Sequence, residues 1–258
     1  MSYIENYLAR TQTFGSTTRE RSKTKEIRYL RNKMVDSLSS HKVTISHNDK
    51  AEERLLNIIN SDNIEQKFIM SMPEEDFTTG SYVEWSGSHW IIIARDANTE
   101  IYTRGKMIQC NQLLKWINRD GTIHEAWAFL EDGTKYLTGE YADRKYAVTR
   151  GDSRVALTVG KNKDTLTLNR EHRFIIDDDD NHEQKLAYSL TKPLKAGLTY
   201  IVNGQEEGIF KFILQEVPTT EDDNLELGIA DYYKYAKKEY PPIDKGENDD
   251  GSEKRMWL

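Results

Sequence analysis

The stretch Gly80-Ser81-Tyr82-Val83-Glu84-Trp85-Ser86-Gly87-Ser88-His89-Trp90-Ile91-Ile92-Ile93-Ala94 decides the fold class. Over 81–85, Val83 and Trp85 alternate with Tyr82 and Glu84, the period of two of a strand with one covered face. Over 90–94 every position is apolar, so the second strand should be buried on both faces. Ser86-Gly87 lies between them, and glycine supplies the positive φ that a tight antiparallel hairpin requires.

The same pattern repeats on either side. A second strand pair is expected over 110–117 and 122–129, joined by Asn118-Arg119-Asp120-Gly121 and carrying Trp116 and Trp127, indoles large enough to dominate a small barrel core. Asp132-Gly133 marks the next turn. Further on, Val155, Leu157 and Val159 alternate with smaller residues. After a polar turn over 160–164 the β pattern resumes at 165–168. Asn203-Gly204, between 198–202 and 209–214, has the left-handed propensity of a type I′ turn and should put Phe210, Phe212 and Leu214 on one face and Ile209 and Ile213 on the other.

Upstream, the pattern is helical. Thr17 or Thr18, followed by Glu20, is a helix start: the hydroxyl caps free amides and the carboxylate favours the positive end of the helix dipole. The helix is expected over 18–38, with Ile27, Leu30, Met34 and Leu38 as its thin apolar face. A second helical stretch is expected over 51–59, from Leu55, Leu56, Ile58 and Ile59. The expected organisation is mainly β: a basic helical N-terminal arm over 1–65, a small antiparallel β-barrel over 66–142, and a second antiparallel, sandwich-like β domain over 143–231. A flexible acidic C-terminal tail over 232–258 completes it.

Charge narrows the function classes. With 43 Asp+Glu against 36 Lys+Arg the net charge is -7, contrary to what a protein built to neutralise nucleic-acid phosphates requires. The first 42 residues are the exception, with nine Lys/Arg against four Asp/Glu. Cys110 is the only cysteine, so no intrachain disulfide is possible and synthesis in a reducing cytoplasm is expected. The first ten residues lack the apolar core of a secretion signal. The longest apolar run, five residues over 90–94, falls far short of the roughly 20 a membrane-spanning helix needs, so no membrane span is expected.

Catalytic and metal-binding patterns are not found. His41, His47, His89, His124, His172 and His182 lack the paired spacing of zinc ligands and read as ordinary strand and loop residues. Asp177-Asp178-Asp179-Asp180-Asn181 brings carboxylates together, but a calcium loop would need Gly where His182 stands and Glu where Tyr188 stands. Gly160-Lys161 lacks the earlier glycine and the following Ser/Thr of a phosphate loop. Cys110 sits in an apparent strand, where small thiols pack as inert core. The reading is of a protein without catalytic, cofactor or metal site, not an enzyme. The alternative is a carbohydrate-binding module using Trp85, Trp90, Trp116 and Trp127 as stacking platforms; core burial explains the same indoles without a ligand.

Two segments resemble a known group of proteins. Gly80-x-x-Val83-x-Trp85, a turn, Trp90-Ile91-Ile92, and then Cys110-Asn111-x-x-Leu114-x-Trp116 resemble the head-closure, or head-to-tail joining, structural proteins of tailed phages of Gram-positive bacteria. Asp223-Asn224-Leu225-Glu226-Leu227-Gly228-Ile229-Ala230-Asp231-Tyr232 looks like a recurrent ending in such proteins. The resemblance covers about forty residues closely and about two hundred loosely. It implies a virion protein made in the host cytoplasm: a homo-oligomeric ring in the neck, between the portal or adaptor and tail-proximal proteins, with DNA passing through without sequence-specific binding. Another tail or capsid accessory role is the alternative within this class. Two surfaces suit contacts of that kind: Arg19, Arg21, Lys23, Lys25, Arg28 and Arg31 on the helical arm, and the terminal Met256, Trp257 and Leu258. The second β domain exceeds what small head-closure barrels carry.

Overall fold

Alternating strands close the first sheet upon itself. In this computed structural model, which describes residues 3–4, 14–48, 50–96, 100–132, 154–177, 185–194, 199–202 and 205–236, the sheet comprises β1 (Ser40–His47), β2 (Lys50–Asn60), β3 (Gln66–Ser71), β4 (Tyr82–Trp85), β5 (Ser88–Asp96) and β6 (Arg104–Gln109). They form an antiparallel barrel in the order β1-β2-β3-β6-β5-β4, shut by Ile45 opposite Val83. The hairpin decides as expected: Ser86 and Gly87 both take positive φ, 53° and 71°, and Trp85 pairs with Ser88. Val43, Ile45, Leu56, Ile58, Ile69, Val83, Trp90, Ile92 and Met107 fill the interior together with Phe77.

The second sheet takes β7 (Gln112–Ile117), β8 (Ile123–Asp132), β9 (Arg154–Gly160), β10 (Arg173–Asp177), β11 (Lys185–Leu194), β12 (Thr199–Val202) and β13 (Gln205–Val217). Its order is β10-β11-β13-β9-β8-β7, with β12 folded back on the start of β13, and the curled sheet encloses Leu114, Trp116, Leu157, Val159, Phe174, Phe210, Phe212 and Leu214. Phe210, Phe212 and Leu214 share this core while Ile209 faces away from it, the alternation the sequence carries. The turn residues Asn203 and Gly204 lie outside the described residues.

Four expectations are corrected. The stretch expected as a second helix is strand β2: Leu56 and Ile58 point inward, Ile59 is exposed, and the strand ladders with both β1 and β3. Leu55-Leu56 and Ile58-Ile59 satisfy a helical spacing by adjacency, but burial follows period two. The arm helix α1 (Thr18–Val35) stops short of Leu38, which is 98% exposed. The first barrel spans β1–β6, not 66–142, because β7 and β8 pair with each other and then with β9 of the second sheet. The expected strand at 165–168 is a 3-10 turn over Thr165–Thr167: Asn162 Oδ1 accepts from the Thr165 amide at 2.8 Å and the Thr167 hydroxyl donates to Asp164 O at 2.6 Å, winding the backbone instead of extending it.

The two sheets are joined along a continuous apolar seam of Ile91, Ile108, Cys110, Phe129 and Ile209, backed by Tyr82, Ile93 and Trp127. This explains why β5 is apolar on both faces: Trp90 and Ile92 fill the barrel while Ile91 fills the seam. Backbone approach is closest at three glycines. A Cβ on Gly80 would lie 2.0 Å from Gly208 O, and one on Gly160 would lie 2.1 Å from Gly80 O. No helix among the described residues is long and apolar enough to cross a membrane.

Candidate interaction surfaces

The basic residues of the arm divide between two faces of α1. The helix starts in a capping box: Thr17 Oγ1 accepts from the Glu20 amide at 3.2 Å, and Glu20 reaches back to the Thr17 amide at 3.2 Å. The Ser16 hydroxyl and the Ser16 and Thr17 amides hold the Glu20 carboxyl below its ordinary range. Of the eighteen helical residues only Met34 is buried. Arg19 and Lys23 turn towards Glu100, and Arg31 pairs with Glu74 at 2.8 Å, so these three expected interface residues also tie the helix to its own barrel. At 3.6 residues per turn, Arg21, Lys25 and Arg28 fall within a sector of roughly 60° on the opposite side from Met34. Arg21 also bonds the Thr18 hydroxyl at 3.4 Å. Of the flexible tail expected over 232–258, the first residues form a short helix over Tyr232–Tyr235, while 237–258, with Met256, Trp257 and Leu258, lie outside the described residues.

The seam carries an ion pair that periodicity could not reveal. Arg95 of β5 and Glu207 of β13 are 5% and 6% exposed at their side chains and bond directly. Arg95 Nη1 also donates to Asp76 Oδ2 at 2.6 Å and Phe77 O at 2.9 Å, while Glu207 Oε2 accepts from the Thr79 amide at 3.1 Å. Burial pushes the Glu207 carboxyl up, outweighing its donors. For Asp76, burial is outweighed by Arg95 and the Thr103 hydroxyl, and its carboxyl is held down.

Each motif that carried the phage resemblance has a structural part to play here. Gly80 to Trp116 runs from the seam through β4–β6 and into the second sheet. Asn111 makes the crossover, its Oδ1 accepting from Leu130 N at 2.8 Å and its Nδ2 donating to Leu130 O at 2.9 Å, as a strand backbone would. The ending motif forms a clasp on β10 and β11. Asp223, its side chain fully buried, accepts from Arg173 at 2.9 Å and from the Thr220 and Asp231 amides, each at 2.8 Å, while Asn224 and Ile229 bridge. Burial raises the Asp223 carboxyl, but these donors and Arg173 leave it below its ordinary range.

The sequence also left a polar relay unseen. His124 Nδ1 contacts Asp164 Oδ1 at 2.8 Å, Asn118 Nδ2 contacts His124 Nε2 at 2.9 Å, and His172 Nε2 contacts Asn118 Oδ1 at 3.0 Å. Beside it lies a cavity of about 260 Å³ bordered by Asn118, Arg119, His172, Arg173 and Asp231, and by Tyr235 of the short helix α2 (Tyr232–Tyr235). No signal in the sequence pairs residues forty or fifty-four apart. The other described histidines pack against aromatic residues or stand at strand ends, His41 on Trp85 and His89 stacked 4.2 Å from Trp127. Among the described residues no three His, Cys, Asp or Glu side chains converge as metal ligands. Trp90 and Trp116 are core residues, and Trp85 and Trp127 are half-buried against the barrel and the seam. Cys110 is buried in the seam, which pushes its thiol up well beyond the range of a reactive thiolate.

The chain matches no known family pattern and no curated protein. Two solved structures are similar in part: MrkH, described as a c-di-GMP-dependent transcription regulatory factor, and MrkH of K. pneumonia in its apo state. They are 9% and 8% identical, with TM-scores of 0.22 and 0.23, each match covering 78% of this chain and 86% of the other. At those TM-scores the likeness carries no argument about fold or function.

Proposed function

We propose that this chain is a structural protein of the neck of a tailed bacteriophage, one of a ring of copies that joins the portal side to the tail and retains packaged DNA. The resemblance of Gly80–Trp116 and Asp223–Tyr232 supplies the phage context. One structural observation supports an assembly role: α1 buries a single residue of eighteen on its own chain and turns Lys25 and Arg28 outward. A helix of that composition gains little from intrinsic propensity, since most helical stability in proteins comes from packing an apolar face. Its exposed Tyr29 and Val35 are suited to cover by a neighbour. The two β units welded through Arg95–Glu207 supply a rigid body behind that arm. The acidic balance suits DNA that slides past and is not gripped.

The test is electron microscopy of the purified chain and of particles labelled on it, combined with deletion of its gene. Rings in solution, label at the vertex where head meets tail, and heads that lose DNA or tails left unattached are the expected results. A monomer that is absent from finished particles overturns the reading. Virions that assemble but adsorb poorly would favour a carbohydrate-binding role instead.

A further inference from the structure

The outer face of α1 is left uncovered by the described residues. Lys25, Arg28, Tyr29 and Asn32 are all exposed and stand three or four positions apart, so they are neighbours on one side of the helix, turned away from Met34. The ion pairs of the helix are made by Arg19, Lys23 and Arg31; among the described residues Lys25 and Arg28 have none. Arg21 adds its charge to the same side, and from Arg21 to Arg28 the cations extend over roughly 10 Å of helix axis. Tyr29, 58% exposed, gives this face an apolar element.

Two acidic surfaces could receive such a face. The first is a groove of about 500 Å³ bordered by Glu53, Glu74, Glu75 and Asp76, and its own chain already serves it with cations: Arg31 pairs with Glu74, Arg95 pairs with Asp76, and Arg54 lines it. Because Arg31 belongs to α1, a second helix entering there would also bring like charges together.

The second is the clasp. Asn224 and Ile229 exchange backbone hydrogen bonds at 2.9 and 3.0 Å, Asn224 Oδ1 accepts from the Leu227 amide at 3.0 Å, and Lys185 Nζ donates to Leu225 O at 2.7 Å. The turn held in this way presents Leu225, Glu226 and Leu227, the two leucines 43% and 45% exposed. Glu221 and Asp222, both exposed, precede it in the chain. The ion pairs of the clasp are made by Asp223 and Asp231 with Arg173; among the described residues Glu221, Asp222 and Glu226 have none. Lys234 stands near Asp222 but lies over the Tyr235 ring, 5.1 Å from its centroid. Two leucines set among carboxylates complement a helix face on which a tyrosine is set among cations.

We propose that α1 of one copy docks on the clasp of a second copy over 221–227, Lys25 and Arg28 meeting Glu221, Asp222 and Glu226 while Leu225 and Leu227 cover Tyr29. Two different patches of the same chain then meet, so the contact is heterologous: each copy gives a helix and receives one, and the series closes when the rotation between neighbours allows. One contact of this size is weak, and closure strengthens it because every copy is held on two sides. The contact rests on the ring reading, which supplies the neighbouring copies.

Sedimentation of the full chain in low salt, with charge reversals, tests it. The parent should associate. Lys25→Glu with Arg28→Glu, and separately Glu221→Lys with Glu226→Lys, should each weaken association by about tenfold or more, and a mixture of the two variants should restore it, because each carries the patch the other needs. All four positions are exposed, and thermal melting checks that the fold is kept. Rings that persist in both variants overturn this contact and leave the neck reading standing; a parent that stays monomeric overturns both. Association lost in the two variants and not regained in their mixture also overturns the pairing, since the reversals then act separately. A second measurement is independent of affinity. With Cys110 buried, Arg28→Cys combined with Glu226→Cys should give on oxidation a ladder of linked chains, dimers, trimers and higher. Monomers alone, linked internally or not at all, refute the contact.

Discussion

Replacing Arg95 by Met would strand the Glu207 carboxylate in the seam with the Thr79 amide as its remaining donor. Breaking a buried, hydrogen-bonded pair by removing one partner costs about 3–5 kcal/mol. The stranded carboxylate has one escape, which is to bind a proton, and this makes the cost depend on pH. In the variant the folded-state carboxyl is raised above its unfolded value, so the folded form holds a proton that the unfolded form has released. Stability then falls as pH rises from the ordinary carboxylate range, by up to about 1.4 kcal/mol per unit. Burial already raises the Glu207 carboxyl in the parent, so the difference between Arg95→Met and the parent should be smaller at pH 5 than at pH 7 by at most about 2.7 kcal/mol. Urea unfolding measures it: with a slope near 3 kcal/mol per molar, the midpoint should fall by roughly 1–1.7 M at neutral pH. The double variant Arg95→Met/Glu207→Leu should recover much of the loss, since apolar replacement of both partners is often neutral. A loss below about 1 kcal/mol at pH 7, or one that does not shrink at pH 5, would refute the claim that this pair is desolvated and holds the two sheets together. Acid-sensitive groups that do not touch Arg95 act equally on parent and variant and cancel in the comparison; Asp76, which also pairs with Arg95, does not.

Glycine substitutions separate backbone crowding from conformation. Gly80→Ala, at φ 88° and with its new Cβ 2.0 Å from Gly208 O, should abolish the joined fold or cost well above the ~1–2 kcal/mol of a left-handed residue, whereas Gly87→Ala, at φ 71° in open space, should cost only that; equal melting temperatures for the two variants would contradict the close approach. Thr17→Ala should remove about 1 kcal/mol of helix stability, seen as faster amide exchange confined to the first turns of α1 with both sheets unaffected. Stability should decline in two acid windows. The first begins as pH falls through about 6.5, where the unfolded chain protonates a histidine that folding keeps neutral at His172; the second begins below about 4, where the held-down Asp223 must protonate. Chemical denaturation across pH reads both, and His172→Gln should erase only the first. Iodide should leave the emission of the enclosed Trp90 and Trp116 unquenched, which Trp90→Phe and Trp116→Phe identify; quenching of those two would revive the carbohydrate-platform reading.

What the sequence disclosed was whatever is written in local periodicity and turn chemistry. The β4–β5 hairpin, the two-sided burial of β5, the alternation along β13 and the threonine cap of α1 were all legible because each depends on residues within a few positions of one another. The division into two sheets was not, because it depends on where a strand's second edge finds its partner. Trp116 is the instructive residue: the sequence motif that ends on it reads as one unit, yet Asn111 passes the chain from one sheet to the other, and Trp116 fills the second core. β2 failed for a related reason, since paired apolar residues satisfy both periods and only the neighbouring strands choose between them. The relay and the seam ion pair join residues far apart in the chain, and no spacing rule reaches that far.

These placements bear on how such a chain divides its labour. The interactions between the two sheets are buried, charged and glycine-tight, the kind that fail all at once when one member is altered. Besides the buried Met34 and the Ser40 hydroxyl on Met34 O, the interactions of α1 with the barrel are exposed ion pairs, Arg19 and Lys23 with Glu100 and Arg31 with Glu74, each contributing about 0–1 kcal/mol and weakened by salt. The chain thus joins a body that resists deformation to an arm that it holds weakly. A partner that covers the outer side of the arm competes with those exposed pairs and leaves the buried Met34 in place, so raising the salt concentration loosens the helix on its own barrel before it disturbs either core.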